Sequence, residues 1–167
     1  KDNNGVNVEN GTISITKGTF NVNKDNTATM HSENNGLYVK EAATTTIDKS
    51  TFNVDGTHSN GIYALKSTGL DLNGIEVTVS GDNNNGVILF PDVTGVNIQD
   101  KGGKRSKFTV NGSTTASTLT PTKDIKSNNG LFVTNGTTVN KIDKTDFTVK
   151  GNGIGLLIGD EDGKGTV

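Results

Sequence analysis

The chain has 167 residues, a formal net charge of −2 and 22 glycines, with no Cys and no Trp. Its 16 basic residues against 18 acidic ones, with Arg105 the single arginine, argue against an electrostatic nucleic-acid binder, and the missing cysteines exclude a disulfide framework or a thiolate metal site. Leu, Ile, Val and Phe make up 41 of the 167 residues, about a quarter and above the roughly 20% typical of disordered chains, so the expectation is one folded domain, 1–167, with a thin core.

Two elements alternate along the chain. The first is a glycine, usually after Asn, followed by alternating apolar residues. The second runs from an aliphatic residue through six positions to Val, with an apolar residue two places before the end. In chain order, NNGVNV around Gly5 precedes ITKGTFNV (Ile15 to Val22), and NNGLYV around Gly36 precedes IDKSTFNV (Ile47 to Val54). SNGIYAL around Gly61 precedes LNGIEVTV (Leu72 to Val79). NNGVILF around Gly86 precedes a copy from Ile98 to Val110, in which KGGKR interrupts the approach to Phe108-Thr109-Val110. NNGLFV around Gly130 precedes IDKTDFTV (Ile142 to Val149), and NGIGLLI at Gly153 opens a sixth copy that the chain does not finish. The chain also begins at Lys1, not Met, so it reads as a piece of something longer.

Gly36, Gly61 and Gly86 are spaced 25 residues apart. That period is too long for a hexapeptide left-handed β-helix, lacks the leucine pattern of leucine-rich repeats, and is too regular for a β-sandwich. The expected fold is all-β: a right-handed parallel β-helix, a solenoid of about 25 residues per coil and about six coils. Because residues i and i+2 of a strand share a face, the first and third positions after each glycine point inward. They are Val6, Leu37, Ile62, Val87, Leu131 and Ile154, then Val8, Val39, Ala64, Leu89, Val133 and Leu156. Phe20, Phe52, Val77, Phe108 and Phe147 form another inward stack beside Val22, Val54, Val79, Val110 and Val149. The Asn before each glycine, at 4, 35, 60, 85 and 129, is read as a turn ladder rather than a calcium or glycan site.

Catalytic signals are weak. Glycoside cleavage needs two positioned carboxyls; the first-strand elements hold none, and Asp48 and Asp143 each precede a lysine. His31 and His58 lie in variable turns without a carboxylate cluster, the Gly159–Gly165 tail is read as a polar turn, and the sequons at Asn10, Asn111 and Asn135 are read as chance products of Asn/Thr-rich turns. The expectation is a non-enzymatic protein with no metal and no cofactor. No apolar run approaches a membrane span, so no membrane insertion by this segment is expected.

Three features point to binding. Longer joints at 23–35, 101–106 and 111–129 break the period, and solenoid insertions tend to mark a binding face. Tyr38, Tyr63, Ile88 and Phe132 stand between the inward positions, and are expected to form an outward apolar stripe. Lys101, Lys104, Arg105 and Lys107 make a basic insertion suited to an anionic glycan or headgroup. Cover by the chain's own loops, for the stripe, and a solvated loop, for the insertion, are the plainer readings.

The degenerate 25-residue coil, the NNG-aliphatic elements, the Asn/Thr/Gly richness and the absence of Cys make nearly the whole chain resemble the passenger domain of a type V (autotransporter) secreted protein of Gram-negative bacteria. The resemblance implies export and an extracellular or bacterial cell-surface location. It also implies adhesion or virulence through a host or bacterial cell-surface protein or glycan. No functional residue carries over, because no site motif matches. A structural stalk presenting another domain is the alternative, and a polysaccharide lyase or hydrolase a distant one.

Overall fold

The structure is a computed structural model and describes residues 3–23, 34–112 and 127–159. Every named element among these is a β-strand, and all strand pairs are parallel. Strands recur in threes. Sheet 1 holds β1 (Asn3–Glu9), β4 (Asn34–Lys40), β7 (Ser59–Leu65), β10 (Asn85–Leu89), β13 (Asn128–Val133) and β16 (Gly153–Ile158), in that spatial order. Sheet 2 holds β2 (Thr12–Thr16), β5 (Thr44–Asp48), β8 (Leu70–Asn73), β11 (Val96–Gln99) and β14 (Val139–Ile142). Sheet 3 holds β3 (Thr19–Asn23), β6 (Thr51–Thr57), β9 (Glu76–Asp82), β12 (Ser106–Asn111) and β15 (Thr145–Lys150). Each strand therefore pairs with the strand three places on, and three consecutive strands make one rung of a repeat-like parallel stack.

The register joins like to like. Ile15, Ile47, Leu72, Ile98 and Ile142 form one column. Phe20, Phe52, Val77, Phe108 and Phe147 form a second, with Phe20 on Phe52 at 4.7 Å and Phe108 on Phe147 at 5.0 Å. The core lies between the three sheets, with Leu37, Ile62, Val87 and Leu131 stacked in it without solvent exposure. Burying such side chains is the main favourable contribution to the stack, about 1.5–3 kcal/mol for each.

The sixth sheet-1 strand departs from the expected register. Gly155, not Gly153, sits beside Gly130, so Leu156 and Ile158 occupy the two inward columns and Ile154 lies opposite Asn129. Sliding a strand by two keeps its faces, so alternation alone does not separate the two registers. The spacing from Gly130 to Gly155 restores the 25-residue period.

The glycine column is steric in origin. A Cβ at Gly5, Gly36, Gly61, Gly86 or Gly130 would stand 2.8, 2.8, 2.5, 2.6 or 2.6 Å from the carbonyl oxygen of the next glycine in the column. The adjoining asparagines lie in the strands, outside the left-handed region, and so are not there for a special backbone angle. Their amides form a continuous chain: Asn35, Asn60, Asn85 and Asn129 each donate from Nδ2 to Oδ1 of the previous asparagine at 2.9 Å.

The bends between sheets carry the left-handed residues. Asn10, Glu41, Lys66 and Asp92 serve between sheets 1 and 2, and Lys17, Lys49, Gly74 and Lys144 between sheets 2 and 3. Buried serines hold neighbouring bends together. Ser50 Oγ accepts from the Gly18 N–H and donates to the Asp48 carbonyl; Ser106 Oγ does the same for Ile75 and Gln99. At the third bend, Asn84 and Asn128 donate from their side chains to backbone carbonyls of the preceding rungs. These hydrogen bonds remove the cost of burying polar groups.

Candidate binding face

The outer face of sheet 1 carries a row in register: Asn7, Tyr38, Tyr63, Ile88, Phe132 and Leu157. It is not the open stripe expected. Tyr38 and Tyr63 are partly buried, whereas Ile88 and Phe132 are 5% and 6% exposed. A second outward row adds Leu65 and Phe90, the latter continuing β10 through an N–H bond to the Ala64 carbonyl. Phe90 matters because its ring lies 4.8 Å from that of Tyr63, which lies 5.2 Å from that of Tyr38. The three rings stack at interplanar angles of 20° and 25°. Their faces are turned to one another, so the group offers ring edges and side-chain ends. Alternation by twos puts Phe90 on the same face as Ile88, but only the ring geometry shows it stacked on Tyr63 of the preceding rung.

The basic insertion is a tight turn in which Lys101 and Lys104 exchange backbone hydrogen bonds. Gly102 and Gly103 at its tip both take positive φ, 55° and 78°. Its cations reach other rungs. Lys101 Nζ lies 3.3 Å from Asp48, Lys104 Nζ 3.4 Å from Glu76, and Arg105 forms two hydrogen bonds to Asp146 at 2.8 and 2.7 Å. The Arg105 hydrogen bond and charge hold the Asp146 carboxyl below its ordinary range, and the same bond raises Arg105. Lys107 stands in register between Glu76 and Asp146. The insertion thus spends most of its charge on the protein's own carboxylates.

The joints 23–35 and 111–129 lie mostly outside the described residues, as do His31 and the tail after Gly159. Their described ends show that both open at the bend between sheets 3 and 1, whereas 101–106 belongs to the bend between sheets 2 and 3. His58 takes a positive φ of 54° and its Nε2 lies 3.5 Å from Asn83 Nδ2. Asp71 accepts from Asn97 at 2.8 Å, Asp143 pairs with Lys141, and Asp100 with Lys144. Among the described residues no three His, Asp or Glu side chains gather as metal ligands, and no helix is long and apolar enough to cross a membrane. No family model, curated protein or solved structure matches the chain.

Proposed function

We propose that this chain is a right-handed parallel β-helix segment of a secreted or surface-displayed bacterial protein, acting without catalysis in adhesion to a host or neighbouring cell. The observation that carries the reading is the outer face of sheet 1, where Tyr38, Tyr63, Leu65 and Phe90 gather in two adjoining rows while the outward positions of sheets 2 and 3 are polar. Aromatic residues are the usual anchors of protein interfaces, and their edges suit a protein partner better than the flat stacking a sugar ring needs. The ion-paired state of Asp48, Glu76, Asp143 and Asp146 supports a non-catalytic role, since these carboxylates already have partners.

The test is a cell-binding assay of the parent and of a Tyr38→Ser, Tyr63→Ser double variant whose circular dichroism is unchanged. The expected outcome is a loss of binding of at least about tenfold. Equal binding by the folded variant would reject the face. Loss only on neutralising Lys104 and Arg105 would move the site to the basic turn and an anionic ligand.

A stalk role is the second reading, favoured by the unbroken asparagine chain and the polar outer rows of sheets 2 and 3. A stalk binds no cell in this assay and shows no difference between parent and variant.

A further inference from the structure

The chain has two tyrosines, no tryptophan and no cysteine. Its phenols are therefore the side chains that most readily give up a single electron; its one methionine is oxidised by oxygen transfer, a two-electron step. The fold brings the two phenols together. Tyr38 and Tyr63 are 25 residues apart in the chain, yet they are direct partners in the register of β4 and β7. Their ring centroids lie 5.2 Å apart and their planes within 20° of parallel.

Two features hold the pair in place. Both strands lie inside sheet 1 and are paired on each side, and the residues that flank the tyrosines, Leu37, Val39, Ile62 and Ala64, have no solvent exposure. The backbone beneath the two rings is thus fixed. The second feature is Phe90, whose ring stacks on Tyr63 at 4.8 Å from the following rung and carries no hydroxyl to oxidise. Tyr38 is accordingly the one phenol that Tyr63 can meet. Both tyrosines are only partly buried, so an oxidant can reach the ring edges, and a tyrosine ring turns within a broad χ2 well.

We propose that Tyr38 and Tyr63 form an oxidative cross-linking site, at which the two rings are joined by a carbon–carbon bond ortho to their hydroxyls. The oxidant is of the class of hydrogen peroxide acting through a one-electron peroxidase. Each phenol gives up one electron and its hydroxyl proton, leaving two phenoxyl radicals, and the peroxide takes up both electrons and both protons to become two waters. The radicals pair to form a Cε–Cε bond, and the proton on each joined carbon moves to its own ring oxygen, restoring both hydroxyls. The protein loses two hydrogen atoms in all. The link places a covalent bond along the stacking direction, where β4 and β7 are otherwise held by hydrogen bonds and packing. It closes a loop across the 25-residue period, the constraint that a disulfide supplies in chains that have cysteine. The site stands whether or not the same face binds a cell.

The experiment treats the folded protein with a haem peroxidase and limiting hydrogen peroxide and maps the products by peptide mass spectrometry. The expected product is a monomer lighter by two hydrogens, with the peptides of Tyr38 and Tyr63 joined and a fractional yield unchanged on dilution. Tyr38→Phe and Tyr63→Phe, each of which keeps the stacked ring, should give no linked monomer. An equimolar mixture of these two variants, in which coupling has to occur between molecules, should give at least about tenfold less linked product than the parent. The purified linked monomer should unfold at a higher urea midpoint than the parent. No linked product, a link in either variant monomer, joined chains in place of the linked monomer, or an equal yield from the mixture would each overturn the proposal.

Discussion

A methyl group at Gly61 would stand 2.5 Å from the Gly86 carbonyl oxygen and 3.2 Å from Cβ of Phe52, with backbone on one side and a packed ring on the other. Neither neighbour has a free rotamer to yield. Gly61→Ala is therefore expected to lower stability by about 1–3 kcal/mol, the usual cost of overpacking, read as a shift of the urea midpoint at constant slope. Gly11 is the control: its nearest contact is 3.7 Å away, and Gly11→Ala is expected to change stability by no more than about 0.5 kcal/mol. Equal shifts for the two variants would remove the steric account of the column. The recurrence of these glycines is plain in the sequence, and so are the inward residues that follow them. The reason for their partners is not, because Asn4 to Asn129 suit a left-handed turn as well as an amide chain, and only the strand geometry chooses between them. For the same cause Gly153 resembles a column member although Gly155 fills that place: a shift of two leaves every face unchanged.

The elements are joined at their bends by interactions that a linear reading of charge does not assign. Lys101, Lys104 and Arg105 look like a basic patch in sequence, yet their partners Asp48, Glu76 and Asp146 belong to three other rungs. The bidentate Arg105–Asp146 contact lowers the Asp146 pKa from an ordinary value of 3.8. Its sign fixes the pH dependence. A carboxyl whose folded value is depressed contributes stability that is present above 3.8 and is lost as the pH falls through the lowered folded value. Carbon-detected titration of Asp146 should show a midpoint below 3.8 in the parent, rising toward it in Arg105→Gln. An unchanged midpoint would show that the pairing is absent in solution. Both groups are exposed, so added salt should narrow the difference.

At the scale of the whole molecule, protection follows the stack. Ile142, Val149, Leu156 and Ile158 are 39%, 42%, 38% and 49% exposed, although their counterparts in β7 to β11 are buried. In a repeat architecture stability sums over neighbouring interfaces, and among the described residues the rung of β14, β15 and β16 pairs with one neighbouring rung where an inner rung pairs with two. Hydrogen exchange in β14, β15 and β16 should accordingly be faster than in β7, β8 and β9 by on the order of tenfold or more. Uniform protection would mean that the stack opens as one unit. The parallel pairing itself has a mechanical consequence. Backbone and asparagine amide bonds both run along the stacking direction, while the strands themselves run across it. Tension along the stack loads the rungs in series, so the weakest interface yields first. Tension across a rung, applied between the ends of β7 for example, loads many bonds in parallel and demands a far larger force. The molecule is compliant along its axis and stiff across it.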